Sequence, residues 1–432
     1  MSIITWRGDA VAVAQVNTLT VGGTILATDL FILTISNKIL TVVAGSTVAA
    51  TVAANIVAAW NTISSAMAPE LAEATALATT GGAFTITADT AGKPFVVSVS
   101  TTLAAGGASS GTFTSSITTT SAGPADASVA ANYTGGVLPT TGDTLVFENS
   151  NNPVLYNLDA LSAVTLAMLS VKASYTGSIG LPRTNGSGSN SYLEYRLQYL
   201  QVAATIWSIG LGDGSGSGRI KLDLGSIQFT GNVYNSGSQA ENGIPAVLLK
   251  GTHASNALIV LKGTVGVAFF AGEVSTLDSL DMGYVNNIPS DSIVQCGVGV
   301  TLTTITKAGG QLTLNNNATT ITQYDGQTTI IGTATLDTGV IGGTLVDQSS
   351  GLFSNITLLN RGTYDHSKSM TAKTITNFTM ESASTYNDPY GMTTLSNGLF
   401  LDACRPGDVT INVPPNRTLS NVGRVGIGLW VE

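Results

Sequence analysis

The chain has 432 residues, a formal net charge of -9 and only 17 lysines and arginines, which are scattered without a basic run. That balance removes the counterion-release term on which nucleic-acid affinity rests, so nucleic acid is excluded as an expected partner. With 43% apolar residues, 10% charged residues, 49 glycines and a mean hydropathy of +0.30, the composition excludes disorder. It favours a mainly β protein with many glycine turns, too long for one ordinary core.

The first notable element is Trp6-Arg7-Gly8-Asp9, directly ahead of the alternating stretch 10–21. Arg-Gly-Asp is the tripeptide that matrix proteins offer to integrins, but integrin recognition needs it at the tip of an exposed loop. Its place ahead of a strand reads instead as an attachment element, with Trp6 making an apolar contact and Arg7 and Asp9 polar ones. No basic segment followed by an apolar one is read at the start, and no run approaches the ~18 apolar residues of a membrane span. Neither ordinary secretion nor membrane insertion is expected.

Residues 10–100 read as a small α+β unit of order ββαβββ. The runs around 29–44 meet at Ser36-Asn37, a hairpin turn. Ser46 is the expected N-cap of a helix in which Val48, Val52, Ile56, Trp60 and Ile63 share a face, ending before Pro69. Further strands follow around Gly81-Gly82 and Gly92-Lys93-Pro94. The stretch 101–141 has linker composition with one strand, Thr112 to Thr119. The expected division is therefore an α+β domain over 1–122, a Thr/Ser/Gly/Ala-rich linker over 123–142 and a third region over 143–432.

In that third region short β runs alternate with Gly, Asn and Asp. Gly310, Gly326, Gly343 and Gly362 recur at steps of 16, 17 and 19, each between two strands with no helix. A turn repeated at that spacing predicts stacked coils, and the drift in spacing predicts an irregular right-handed parallel β-helix, with longer coils of about 20 to 25 residues before residue 300 and a pair of β-sandwiches as the alternative architecture.

Chemistry-bearing motifs are sparse. The glycine-rich stretch Gly210 to Leu224 has no GxGxxG register and precedes a strand, so it is read as a turn rather than a phosphate loop. Cys296 and Cys404 are 108 apart with only His253 and His366 in the chain, so a zinc site is not expected and both cysteines are read as small buried hydrophobes. Neither histidine sits in a nucleophile elbow. The carboxylates a polysaccharide-cleaving β-helix could use are Glu273, Asp278 and Asp281, with Asp325, Asp337 and Asp347 in the repeats, but a sugar cleft also wants exposed aromatics, and of only four tryptophans Trp207 is the sole one inside the solenoid proper, Trp430 standing near the end of the sequence. No enzymatic activity, metal or cofactor is expected. Asn132, Asn317, Asn355, Asn377 and Asn416 match the glycosylation pattern at a frequency that Asn- and Thr-rich composition explains.

The opening WRGDAVAVAQVNTLTVGGTILATDLFILTI, with ELAEATALATT and FTITADTAGKPFVVSV, resembles an N-terminal module of tailed-bacteriophage structural proteins. GDTLVFENSN, LDALSAVTLAMLSVKASYTGSIGLP and KGTHASNALIVLKGTVGVAFFAGEV are similar to the β-helical continuation of the same proteins. The resemblance implies a virion-surface component, assembled in the host cytoplasm and projecting as a homotrimer, with phage capsid or other virion proteins as partners. It carries no catalytic residues. Within virions a head decoration or spike is expected ahead of a tail fibre or tailspike that binds host surface glycans. A bacterial surface adhesin is the reading from another class, and the lack of a secretory signal or anchor counts against it.

Overall fold

The computed structural model describes residues 2–415 apart from 64–66, 187, 286–287, 403 and 405. Its framework is a pair of long parallel sheets, one of fourteen strands and one of eleven. From Leu200–Gln201 onward the chain alternates between them, apart from Tyr284–Val285 and Ile288–Pro289, which pair with each other, and the consecutive Thr393–Leu395 and Leu399–Leu401, which both join the longer sheet. Val300–Lys307 lies in the longer sheet, Gln311–Leu314 in the other, Ala318–Gln323 in the longer again, and so on to Thr410–Asn412. Thirteen strands of the longer sheet form one unbroken path, about 58 Å long at ~4.8 Å per strand.

The corners explain why the chain turns where it does. Gly310, Gly326, Gly343 and Gly362 all stand immediately before strands of the shorter sheet, as their spacing predicts. At this corner Gln327 N–H donates to the Gly310 carbonyl (3.0 Å), Thr344 to Gly326 (2.9 Å), Thr363 to Gly343 (2.8 Å) and Thr385 to Gly362 (2.8 Å), a ladder that satisfies the backbone down the edge. Gly326 has φ +79, and a Cβ there would stand 2.4 Å from the Gly310 oxygen.

Inside, pleat parity puts every second side chain on the core face. One register column of the longer sheet runs Ile4, Leu145, Leu169, Trp207, Gly231, Leu258, Leu280, Ile305, Ile321, Gly339, Ile356, Phe378 and Leu399. Glycine appears where a neighbour is bulky: a Cβ on Gly339 would lie 2.9 Å from Ile356 Cδ1. The facing column of the shorter sheet, Leu200, Leu222, Leu249, Val267, Cys296, Leu314 and Ile330, is apolar until it reaches Asp347. Outside, amides form ladders: Asn377 donates to Asn355 (2.8 Å) and Asn397 to Asn377 (2.7 Å).

Residues 13–122 form an antiparallel unit with its own core, centred on Phe31, Leu33, Val52, Ile56, Trp60, Phe84 and Phe113. The hairpin turns at Ser36 (φ 56), and the helix spans Ala49–Asn61 with Val52, Ile56 and Trp60 buried. Two local expectations are corrected. Val48, not Ser46, is the N-cap and is exposed, because the Ser46 hydroxyl instead accepts from the Val48 N–H (3.1 Å) in a local turn. The unit also has two strands beyond the ββαβββ order: Val16–Gly23 pairs along its whole length with Gly111–Thr119, so the strand read inside the linker belongs to this unit's sheet.

The unit ends at 122, as in the sequence division, but its N-terminal boundary differs. Ile3–Thr5 pairs in parallel with Thr144–Phe147 and is the edge strand of the longer sheet. The antiparallel unit is thus inserted between two neighbouring strands of the stack. Residues 123–142 are packed rather than extended as a tether: Asp126, Ala127, Asn132 and Tyr133 are buried, and the Tyr133 hydroxyl donates to the Ala127 carbonyl at 2.8 Å. Composition missed this because small Ser, Thr, Gly and Ala residues serve both linkers and tight packing against a sheet edge.

Both cysteines are free and buried, as expected of small hydrophobes. Among the described residues no helix is long and apolar enough to cross a membrane.

Candidate functional site

The expected attachment element lies at the first strand of the stack. Trp6 N–H donates to the Val146 carbonyl (2.9 Å), continuing the ladder, and the side chain turns inward to 1% exposure. Its ring meets Tyr133 edge-on at 5.1 Å and Phe147 at 6.2 Å, while its indole N–H donates to the Asn152 carbonyl at 3.0 Å. Trp6 therefore makes its apolar contact within the protein, leaving Arg7 and Asp9 as the exposed side chains of the trio.

Two buried or half-buried asparagines hold the backbone between them. The Asn132 carbonyl accepts from Arg7 N–H (2.7 Å) and Gly8 N–H (3.2 Å), its side-chain oxygen accepts from Ala10 N–H (2.8 Å), and its amide donates to Gly123 and Asp126 carbonyls (both 2.8 Å). From the other side the Asn152 amide donates to the Arg7 carbonyl at 2.6 Å. Gly8 has φ +70, and a Cβ would lie 2.6 Å from that of Asn152, so the residue between Arg7 and Asp9 must be glycine here. The tripeptide is a clamped corner, not a projecting loop tip. Beside it Glu148, Asn149, Ser150 and Asn151 complete a polar groove of about 420 Å³. Asn132, fully buried with its amide engaged, is closed as a glycosylation acceptor, and Asn416 lies outside the described residues.

A second cleft, about 390 Å³, lies on the stack and is lined by Arg183, Glu194, Arg196, Tyr199, Asp223, Lys250, Phe270 and Glu273. Its charges are already partnered. Arg196 bonds Glu73 of the antiparallel unit and Glu194 of the stack, both at 2.9 Å, and the Pro94 carbonyl at 3.0 Å. Lys250 bonds Asp223 at 3.3 Å and lies 4.1 Å over the Tyr199 ring, while Arg183 lies 4.3 Å over Phe270. Lys93 and the Tyr192 hydroxyl also bond Glu73. Cations cover the aromatic faces that a sugar would stack on.

The six carboxylates named from sequence do not gather. Glu273 lines the second cleft, and its side chain accepts the Phe270 N–H at 3.0 Å. Asp278 and Asp337 point outward from strands of the longer sheet, Asp325 is exposed at a glycine corner, and burial raises the Asp281 carboxyl above its ordinary value. No hydrogen bond or ion pair joins any two of the six among the described residues. Trp207 is fully buried. His253 Nδ1 accepts the Ser255 N–H at 3.1 Å in a surface turn.

Asp347 is the exception, because it has partners that the sequence reading did not connect with it. It is fully buried and meets Lys373 at 3.3 Å, the Tyr364 hydroxyl at 2.8 Å and His366 Nδ1 at 3.6 Å, all on Oδ2. Ser349 donates its N–H (3.0 Å) and its hydroxyl (2.9 Å) to Oδ1. Burial alone would raise the Asp347 carboxyl, but His366, Lys373, Ser349 and Tyr364 together hold it below the usual carboxylate range. Burial pulls Lys373 down to about 8 against the opposing pull of Asp347. Burial also lowers His366, but bonds to Asp347 and the Thr371 carbonyl (2.9 Å) outweigh it and leave the imidazole above its ordinary value. The available signal was parity: Asp347 shares the core face with Leu345, and Lys373 with Ile375.

Comparison with known proteins found no family model that matches the chain, and no match among curated proteins or solved structures.

Proposed function

We propose that the two-sheet stack is an irregular right-handed parallel β-helix, and that the protein is a non-enzymatic structural component of a tailed-phage virion. In this reading it is a trimeric head decoration or spike, and the N-terminal antiparallel unit, with Arg7 and Asp9 beside it, grips the capsid. The observation that carries it is the mechanical continuity of the chain. A filled core runs from Ile4 through Tyr386, and the antiparallel unit is fixed to its first layers by two covalent crossings and the part-buried Glu73–Arg196–Glu194 bridge. That construction suits a stiff projection carried on a foot. The phage assignment rests on the resemblance of the stretches quoted above.

Copy number in purified particles tests the reading: hundreds of copies per particle, with density at the head, are expected. A handful of copies at the tail would replace it with the second reading, a fibre or tailspike that binds a host surface polysaccharide. Turnover of capsule or lipopolysaccharide by the purified chain would overturn the non-enzymatic assignment.

A further inference from the structure

Asp347 breaks the otherwise apolar inward column of the shorter sheet, and Lys373 extends into the same space from the longer one. Both side chains are fully buried, and no water-facing role accounts for them. A buried ion pair is weak evidence for stability, since an apolar pair of similar volume commonly does as well. The arrangement around the pair is more specific than an ion pair requires.

We propose that Lys373 and Asp347 are the site of a self-formed isopeptide bond that links the two sheets across the core. Lys373 Nζ is 3.3 Å from Asp347 Oδ2, placed by a 2.8 Å bond to Ser349 Oγ and lying 3.1 Å over the Phe353 ring. The other carboxyl oxygen, Oδ1, receives the Ser349 N–H and hydroxyl, two donors aimed where negative charge develops when a nucleophile adds to Cγ. Oδ2, the oxygen that must leave, is met by Tyr364 Oη and His366 Nδ1. Nucleophile, oxyanion donors and leaving-group donors are thus in place around a single carboxyl group.

The step balances without a co-reactant. A proton passes from the Lys373 ammonium to the Asp347 carboxylate, giving the neutral amine and the carboxylic acid, an uphill exchange, since the donors around Asp347 favour its charged form, but one that burial of the ammonium makes smaller than in water. Burial has already brought the amine to about 8. Nζ then adds to Cγ, the Cγ–Oδ2 bond breaks, and Oδ2 departs as water carrying two of the three ammonium protons. The third remains on the new amide nitrogen.

Mass spectrometry of the purified full-length chain, denatured after folding, decides the matter. The expected species is about 18 Da lighter than its sequence, the mass of one water. Tryptic digestion is expected to leave Lys373 uncut and to yield a branched product joining 308–361 to 369–417. Lys373→Met is expected to have its full sequence mass. In Asp347→Asn the same attack expels ammonia, so about 17 Da is lost instead. Wild-type protein at its full mass, with free 369–373 in the digest, would overturn the proposal whether or not either variant folds.

Discussion

Gly231 is the register partner of Trp207 in the longer sheet, and a Cβ on the glycine would stand 1.9 Å from the indole Cζ2. The smallest residue lies beside the largest because neighbouring layers share a fixed core width.

Gly231→Ala is accordingly expected to destabilise the stack by roughly 1–3 kcal/mol through overpacking. Trp207→Leu removes volume instead. In a double-mutant cycle the two changes are expected to compensate in part, and strict additivity of their urea midpoints would refute the packing relationship.

The Trp6 anchor and the two exposed residues beside it are expected to separate stability from attachment. Trp6→Ala vacates a pocket formed by Tyr133 and Phe147 and is expected to cost about 3–5 kcal/mol. Arg7→Ala and Asp9→Ala are exposed changes, expected to stay within about 0.5 kcal/mol while weakening capture by capsid proteins. Thermal unfolding and a binding assay on the same three variants check both halves. Full binding by Arg7→Ala and Asp9→Ala would remove these residues from the attachment reading.

Arg196 joins the antiparallel unit to the stack. Its guanidinium is held above its ordinary value: burial acts against it, but Tyr195, Glu194 and Glu73 outweigh burial. Arg196→Ala leaves those two carboxylates facing each other, with an expected loss of about 3–5 kcal/mol, concentrated at the junction. Hydrogen exchange is expected to rise around 73, 94 and 192–196 while the strands beyond 300 keep their protection. Uniform loss across the chain would contradict a local joint.

Lys307 is buried, and its ammonium donates to the carbonyls of Gly310 (2.8 Å) and Asp325 (3.3 Å), with no carboxylate within ion-pair distance among the described residues. Burial depresses it to about 8, with Asp325 opposing in part. Between that value and the unfolded value of about 10.4, the unfolded chain holds more of the proton. Stability should therefore climb with pH across this window, and the penalty is in full force below about pH 8. Met282 already occupies the register position one layer away, so Lys307→Met is expected to be up to about 4 kcal/mol more stable at pH 7 and to lose this slope. Equal variant-minus-parent differences at pH 7 and pH 9.5 would rule it out.

Much of this architecture is legible in the sequence. The glycines at 310, 326, 343 and 362 mark corners because only a residue without a Cβ lets successive corners stack at strand spacing. The hairpin at Ser36-Asn37 and the apolar face of Val52, Ile56 and Trp60 follow from local periodicity. What was not legible is what depends on distant partners. Nothing near Ile3–Thr5 announces that its ladder partner is Thr144–Phe147, and nothing local distinguishes packed 123–142 from a tether. Parity could have placed Asp347 and Lys373 indoors, but their encounter requires knowing that two strands from different sheets face each other.

The insertion of the antiparallel unit between two paired strands also separates those strands in time during synthesis. Ser2 bonds Asp143 and Thr144, with the whole unit lying between. During synthesis Ile3–Thr5 emerges well before its partner and has no sheet to join. The antiparallel unit can close on its own core in that interval, bringing its two ends together and handing the waiting strand to Thr144–Phe147 as they appear. Layers that emerge later then find that edge already formed, a seam sealed early to which the stack can be joined.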